Sequence, residues 1–211
     1  MANRAYKGRK LEIELATTLS LWWSNGEHDD LCWHTHDSGG RATRRSAKGK
    51  GTRSAHGDLC NTDRTMQPFF DMFVVEAKRG YPEATLHAIV DQPAKAKQQQ
   101  YAAWVVQASG SAKAARVPYW MLIHRRDRRE ALAVLPDNAV NDLERLAGCC
   151  LEDLEHQDRP VMRLYCPAVY HSYVWVFLLN NLLSAVTSAH VVALAQKLTK
   201  KDDSFSRKGA Q

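Results

Sequence analysis

The sequence predicts an α/β fold, an α/β/α sandwich around a mixed central sheet with a helical C-terminal extension. Three observations predict it: helical periodicity near the start of the chain, a short apolar run of strand formers that ends in polar residues, and two further strand-like runs after a second helical segment. We expect residues 1–136 to form the core, residues 137–199 an α/β extension packed on the core, and residues 200–211 a polar tail.

Length and composition favour a protein with a polyanionic partner. The chain has 211 residues, which suits one domain with an elaboration, and it carries a formal net charge of +6 with a pI near 9.1. Its five cysteines are an odd number without framework spacing, so we expect reduced thiols. The longest apolar run is too short to span a membrane, and no secretory leader pattern opens the chain. These features predict a cytoplasmic protein.

The first predicted element is a helix over residues 6–23. Leu11, Leu15 and Leu19 recur at helical spacing, and Asn25 with Gly26 would end the helix. Glu12 lies on the flank of this apolar stripe. On the residues alone, the favoured interpretation of Glu12 is a solvated acid that complements the helix dipole.

Residues 31–36 alternate apolar and polar side chains and predict a strand that leads into a Ser38-Gly39-Gly40 turn. The strand also offers zinc ligands. The candidates are Cys32, His34 and His36, together with Cys60. Common zinc sites use more closely spaced pairs on turns and helices, so packed or exposed histidines are the competing interpretation.

A basic run precedes the segment that carries the strongest motif. From residue 41 to residue 53 every charged side chain is basic: Arg41, Arg44, Arg45, Lys48, Lys50 and Arg53. Such a run repels itself and would be ordered by a polyanion. We expect it to contact DNA, and a solvated loop that aids solubility is the alternative.

The apolar run that begins at Phe69 predicts a buried strand that ends in Glu76 and Lys78. Alternate residues of a strand share a face, so these two side chains point the same way. Asp58 would join them if its segment is the neighbouring strand of a hairpin connected through residues 61–68. Two carboxylates beside a lysine suit Mg²⁺ and a phosphate. An ordinary ion pair at a strand end is the alternative.

The remaining elements are predicted from periodicity. A helix over residues 94–115, with a weak point at residues 109–111, is followed by strands over residues 119–124 and 131–135. The basic turn between those strands could bind phosphate or simply be charged. We further expect a helix over residues 138–149, an edge strand over residues 161–165 and a helix-compatible segment over residues 175–198.

The arrangement of Asp58 with Glu76-x-Lys78 resembles the PD-(D/E)XK nuclease superfamily, with Gly57 in place of the usual proline. The resemblance covers residues 7–135, and it implies the restriction-endonuclease-like core. The run from Lys7 to Leu15 is similar to the opening helix of archaeal Holliday-junction resolvases and related phage-type nucleases. In those proteins a glutamate of this helix reaches the metal site, which implies that role for Glu12. Their following arginine is Ile13 here, so Glu14 stays open as the alternative.

The same resemblance implies the remaining site residues. Ser38 matches a serine that could touch a phosphate, and Gln107, or one of residues 98–100, matches a glutamine near the site. Asp58, Glu76 and the Ala77 carbonyl would bind Mg²⁺, for which Mn²⁺ could substitute.

The function implied is a metal-dependent endodeoxyribonuclease that acts on branched or recombination-type DNA as a homodimer. A DNA-binding protein that keeps the fold without turnover is the alternative, and a zinc-stabilised nucleic-acid module is a third possibility.

Overall fold

The computed structural model describes residues 4–35, 56–87, 100–151, 154, 160–166 and 172–208. Helices flank both faces of a five-stranded mixed sheet, and a separate two-stranded sheet lies against one edge strand. This confirms the predicted α/β class and agrees with a restriction-endonuclease-like fold.

Helix α1 spans Arg4–Trp23. Leu11, Leu15 and Leu19 are buried together against one face of the main sheet, as their helical spacing predicts. Asn25 and Gly26 follow with φ angles of 53° and 92°, a left-handed turn that ends the helix. The apolar stripe therefore fixes α1 on the sheet, and its acidic residues lie on the flanks of that contact.

Strands β1 (Cys32–His34) and β2 (Leu59–Asn61) form the small antiparallel sheet. The sequence predicted that the segment with Asp58 would form a hairpin with the strand that carries Glu76, and that prediction is wrong. The strand after Asp58 pairs with β1. One backbone hydrogen bond, from the Asp58 N–H to the Val75 carbonyl (2.8 Å), joins the segment to the main sheet.

The run from Phe69 divides between a helix and a strand. A 3₁₀ turn (Arg64–Met66) leads into helix α2 (Gln67–Met72), and strand β3 begins only at Phe73 and ends at Arg79. The prediction that Phe69 opens the strand is wrong. Pro68 lies in the first turn of α2, where its missing N–H costs nothing, and Phe69 is buried from that helix.

Helix α3 (Gln100–Ala115) packs on the other face of β3 and strand β4 (Tyr119–Arg125). It continues through residues 109–111, so the predicted weak point is not a break. Strands β3 and β4 are parallel, with Lys78 beside His124 and Arg79 beside Arg125. The carboxyl ends of both strands therefore lie side by side at the same end of the sheet.

The last third completes the same sheet. Strand β5 spans Ala131–Pro136, β6 spans Val161–Cys166 and β7 spans Ser172–Leu178, giving the strand order β3-β4-β5-β7-β6. Strand β6 lies at the edge, as predicted. Residues 175–178 belong to β7 and are not helical, which corrects that part of the prediction. The side chains of Trp175, Val176 and Phe177 are buried because β7 is an inner strand covered on both faces.

The C-terminal helices are more broken than predicted, although the last one extends further. Helix α4 (Asp137–Asp142) gives way to a π-helical turn (Leu143–Ala147), and Gly148 ends it with a φ of 79°. Helix α5 spans Leu179–Ala185 and α6 spans Ser188–Lys208. The predicted tail from residue 200 thus begins inside a helix. None of the helices in the described ranges is long and apolar enough to cross a membrane.

Candidate active site

Glu76 and Lys78 share one face of β3. Val74, two residues earlier, is buried among side chains of α3, whereas Val75 and Ala77 are buried with those of α1. The alternation of a strand places Glu76 and Lys78 on the α3 side with Val74. The site therefore lies between the end of β3 and helix α3.

Glu76 is buried and fully engaged in hydrogen bonds. Its Oε2 accepts from Gln107 Nε2 (2.8 Å) and from Lys78 Nζ (3.0 Å), and its Oε1 accepts from Ser111 Oγ (2.8 Å). Burial and then the charge of Asp58 raise the pKa of Glu76. A carboxylate in this position is costly, and its three hydrogen-bond donors, one of which is the Lys78 ammonium, favour the ionised form.

Asp58 is held against the edge of β3 by two backbone contacts. Its N–H donates to the Val75 carbonyl, and its Oδ2 accepts from the Ala77 N–H at 2.7 Å. The N–H and C=O of one strand residue point to the same edge. The Ala77 carbonyl consequently points toward the edge at which Asp58 lies.

Gly57 allows this close approach. Its φ is 84°, and a Cβ built there would lie 2.6 Å from the Val75 carbonyl oxygen and 2.7 Å from Val74 Cγ1. A proline, whose ring fixes φ near −65°, would not fit this backbone conformation. The departure from the motif at position 57 therefore has a local cause, since only glycine combines the left-handed φ with the contact to β3.

Lys78 bridges the two carboxylates. Its Nζ lies 3.0 Å from Glu76 Oε2 and 3.7 Å from Asp58 Oδ2, and its side chain is 13% exposed. Burial alone would lower the pKa of Lys78, but the charges of Asp58 and Glu76 outweigh burial and raise it. The ammonium is therefore protonated at neutral pH and is held at the rim of the site.

The two glutamates of α1 have different surroundings. Burial and the charge of Asp58 raise the pKa of Glu12 to about 7, while the charge of Lys78 opposes them. Glu14 instead lies 2.6 Å from Arg125 Nη1 and 3.7 Å from Arg79 Nη1. Glu12 therefore belongs electrostatically to the Asp58 group, and Glu14 belongs to a neighbouring ion-pair network.

The other residues that the sequence singled out divide into two groups. Gln107 contacts Glu76 directly, and Gln100 is an exposed residue at the start of α3. The remaining candidates lie outside the described residues: Ser38, Arg41, Arg44, Arg45, Lys48, Lys50, Arg53, Gln98 and Gln99.

Sequence reasoning did not identify Ser111. It follows Gln107 by four positions, so on a helix both side chains lie on one face, and that spacing was the available signal.

The possible zinc ligands do not converge. The register of the small sheet places Cys60 beside Trp33, on the opposite face from Cys32 and His34. Cys32 is buried, and its thiol donates to the Ala16 carbonyl. His36 lies outside the described residues. Across the described ranges, no group of three or more His, Cys, Asp or Glu side chains could hold a metal ion.

That finding also rules out a ready-made three-carboxylate cage within the described part of the candidate site. Mg²⁺ needs no such cage, because it binds through one or two carboxylates and keeps its other positions for water and phosphate. The carboxylates of Asp58 and Glu76 and the Ala77 carbonyl are hard oxygen donors, and all three lie on or beside strand β3. Burial first, and then the negative charge of Asp58, raises the pKa of both Glu12 and Glu76, and a divalent cation bound beside them would favour their ionised forms. The residues present therefore fit such a cation.

A comparison with known protein families found a match. The family model described as "Phage putative PDDEXK endonuclease" matches residues 3–158. The matched stretch includes Glu12, Asp58, Glu76, Lys78 and Gln107. No curated protein and no solved structure matches the chain.

Proposed function

The chain belongs to the phage PDDEXK endonuclease family, and from this premise we propose that it is a divalent-metal-dependent endodeoxyribonuclease. The single observation that supports the proposal most is the position of the Lys78 ammonium, which lies within 4 Å of carboxylate oxygens of both Asp58 and Glu76. This combination is what hydrolysis of a phosphodiester requires: oxygen ligands for a cation and a fixed positive charge for the phosphate.

The residues would divide the work as follows. Asp58, Glu76 and the Ala77 carbonyl would bind Mg²⁺, with Mn²⁺ able to substitute, and the bound ion would acidify a water and polarise the phosphate. Lys78 is protonated, so it would orient the attacking water and offset the charge that builds on the phosphate. Gln107 and Ser111 would keep Glu76 in one orientation through their 2.8 Å hydrogen bonds.

Glu12 would hold a second cation or a water bound to the first. Its pKa of about 7 is consistent with this role, because a carboxyl group that responds to the charges of Asp58 and Lys78 lies within their electrostatic reach. We propose Glu12 rather than Glu14, since Glu14 is engaged with Arg125 and Arg79.

The substrate we propose is branched DNA of the four-way-junction kind, with the basic run at residues 41–53 gripping the backbone. Cutting two strands at once needs two active sites, so a homodimer is part of this proposal. Light scattering on the purified protein, alone and with a four-way junction, tests the dimer.

The test of activity compares wild type with Lys78→Ala on junction, nicked, linear and supercoiled DNA in Mg²⁺ or Mn²⁺. We expect wild type to cut at least one substrate and the variant to cut none, while its DNA affinity stays within about tenfold of wild type because one phosphate contact at most is lost. Lys113→Ala, which removes an exposed lysine from the far end of α3, is the matched control. If wild type binds DNA but never cleaves it, the protein is a DNA-binding protein that keeps the nuclease fold.

A further inference from the structure

The loop that joins β4 to β5 lies beside the carboxyl ends of β3 and β4, which is also the end of the sheet where Lys78 lies. Because β3 and β4 are parallel and in register, Arg125 ends β4 beside Arg79, one residue beyond Lys78. Neighbouring strands are separated by about 4.8 Å. Residues 126–130 therefore begin within about two strand spacings of Lys78.

This loop carries an unusual density of arginine. Its charged residues are Arg126, Asp127, Arg128, Arg129 and Glu130, and all five are exposed. The question for recognition is which of these charges are already neutralised by neighbours. A guanidinium engaged with a carboxylate is a poor phosphate ligand, whereas an unengaged one is a good ligand.

The negative charge of Asp127 is directed away from the loop arginines. Asp127 accepts from Lys7 of α1 and lies 3.5 Å from Arg79 Nε of β3. At the base of the loop, Glu14 is likewise engaged with Arg125 and Arg79. The carboxylates of Asp127 and Glu14 are thus neutralised by cations of the scaffold.

Three guanidinium groups consequently remain for an external anion. Within the described ranges, Arg126, Arg128 and Arg129 form no ion pair with another residue. Glu130 is the other carboxylate of the loop, so the three arginines keep an excess of two positive charges over it. Three guanidinium groups on one short turn repel one another, which favours a polyanion as the partner.

The same ion pairs fix the loop in place. Asp127 links it to α1 and β3, and Arg125 Nε donates to the Arg129 carbonyl at 3.2 Å across the turn. Arg128 has a φ of 59°, which turns the chain sharply at the tip. A turn whose backbone is held in this way loses little backbone entropy on binding, so only the arginine side chains need to be ordered by the ligand.

We propose that Arg126, Arg128 and Arg129 bind backbone phosphates of the DNA beside the scissile phosphate. The position beside the cut rests on the proposed function, whereas the phosphate contact itself does not. Guanidinium contacts to phosphates carry no sequence information, so the loop adds affinity equally for all DNA sequences.

The test compares two triple variants that each remove three positive charges. One is Arg126→Gln with Arg128→Gln and Arg129→Gln. The matched control is Arg64→Gln with Lys113→Gln and Arg116→Gln. The control residues are exposed, they lie at the opposite end of the sheet, and Arg116 has a φ of 59° like Arg128.

Binding is measured by fluorescence anisotropy on a short duplex and a four-way junction, in EDTA, over a range of salt concentrations. Each lost phosphate contact reduces the slope of log affinity against log salt by about 0.9, so we expect the loop variant to lose about 2–3 in slope and about ten- to a hundredfold in affinity at about 0.1 M salt. The control variant should match wild type in slope and, in Mg²⁺, in cleavage.

Equal slopes in all three proteins, or the same loss in both variants, would overturn the proposal. The outcome is separable from that of the proposed function. A loop-specific loss of slope in a protein that never cleaves DNA would support the phosphate contact and refute the nuclease. If wild type cleaves DNA but the loop variant has the same salt slope as wild type, the nuclease is supported and the phosphate contact is refuted.

Discussion

Replacement of Glu12 by glutamine should stabilise the metal-free protein at alkaline pH while it destroys the proposed nuclease activity. The pKa of Glu12 is raised from 4.5 to about 7 in the folded chain, chiefly by burial and by the charge of Asp58. Below pH 4.5 the carboxyl is protonated in both the folded and the unfolded state, so it has no effect on their balance. As pH rises toward 7, only the unfolded chain releases the proton readily, and the free energy of unfolding falls. Above pH 7 the penalty is constant.

The size of the penalty follows from the difference in pKa. Each pKa unit corresponds to about 1.4 kcal/mol, so the difference between 4.5 and about 7 caps the penalty at about 3 kcal/mol. Glu12 is partly exposed, and solvent screening reduces this value. As the pH is raised from about 4.5 to about 8, the free energy of unfolding of Glu12→Gln should rise by about 1–2 kcal/mol relative to that of wild type.

The assay is urea unfolding of both proteins in EDTA at the two pH values, repeated at the higher pH with Mg²⁺. The added cation should stabilise wild type more than Glu12→Gln, because a ligand that binds only the folded state stabilises it by an amount that grows with the logarithm of its affinity. A stability difference that is the same at both pH values would refute the reasoning, since it would mean that folding does not raise the pKa of the Glu12 carboxyl. Equal stabilisation by Mg²⁺ would refute its part in holding a cation.

Three further predictions concern the scaffold of the site. Gly57→Ala should destabilise the protein by about 2–4 kcal/mol in urea unfolding and impair cleavage, because the added methyl group would clash with β3 and the backbone has a left-handed φ. Gly148→Ala is the control: Gly148 has a similar φ, but an added Cβ would meet nothing within 4 Å, so the cost should be only about 1–2 kcal/mol, and equal costs would contradict the packing argument. His124 is buried, and burial lowers its pKa to about 4, so the free energy of unfolding should fall by up to about 3 kcal/mol as the pH drops from 6.5 to about 4. The free energy of unfolding of His124→Phe should fall less over that interval, and a pH dependence equal to that of wild type would contradict this. Glu14→Gln should cost about 1–2 kcal/mol in thermal unfolding, because it leaves the guanidinium groups of Arg79 and Arg125 with a neutral partner, and an unchanged melting temperature would contradict this.

The core of the site could be predicted because it depends on local periodicity. The alternation of a strand is enough to put Glu76 and Lys78 on one face, and the leucine spacing of α1 is enough to place Glu12 on a flank. Family resemblance then linked Asp58 and Gln107 to this strand. The contact between Gln107 and Glu76 spans 31 positions in sequence, and periodicity alone could not have indicated it.

The errors arose where apolar composition fits two structures. Phe69 to Met72 and the start of β7 are both short apolar runs, and burial rather than propensity decides between helix and strand in such runs. The partner of the segment with Asp58 was also missed, because strand pairing depends on tertiary position. The charged residues at positions 125–130 are visible in the sequence, but the sequence could not show that Asp127 forms ion pairs with Lys7 and Arg79.

The central claim is that Asp58, Glu76 and Lys78 form a cation-dependent hydrolytic site. It is tested most directly by incubating wild type and Asp58→Asn with a labelled four-way junction and with supercoiled DNA, in Mg²⁺ and in EDTA. We predict cleavage by wild type in Mg²⁺ only, and none by Asp58→Asn under either condition. Cleavage that persists in EDTA, or that is equally fast without the Asp58 carboxylate, would contradict the claim.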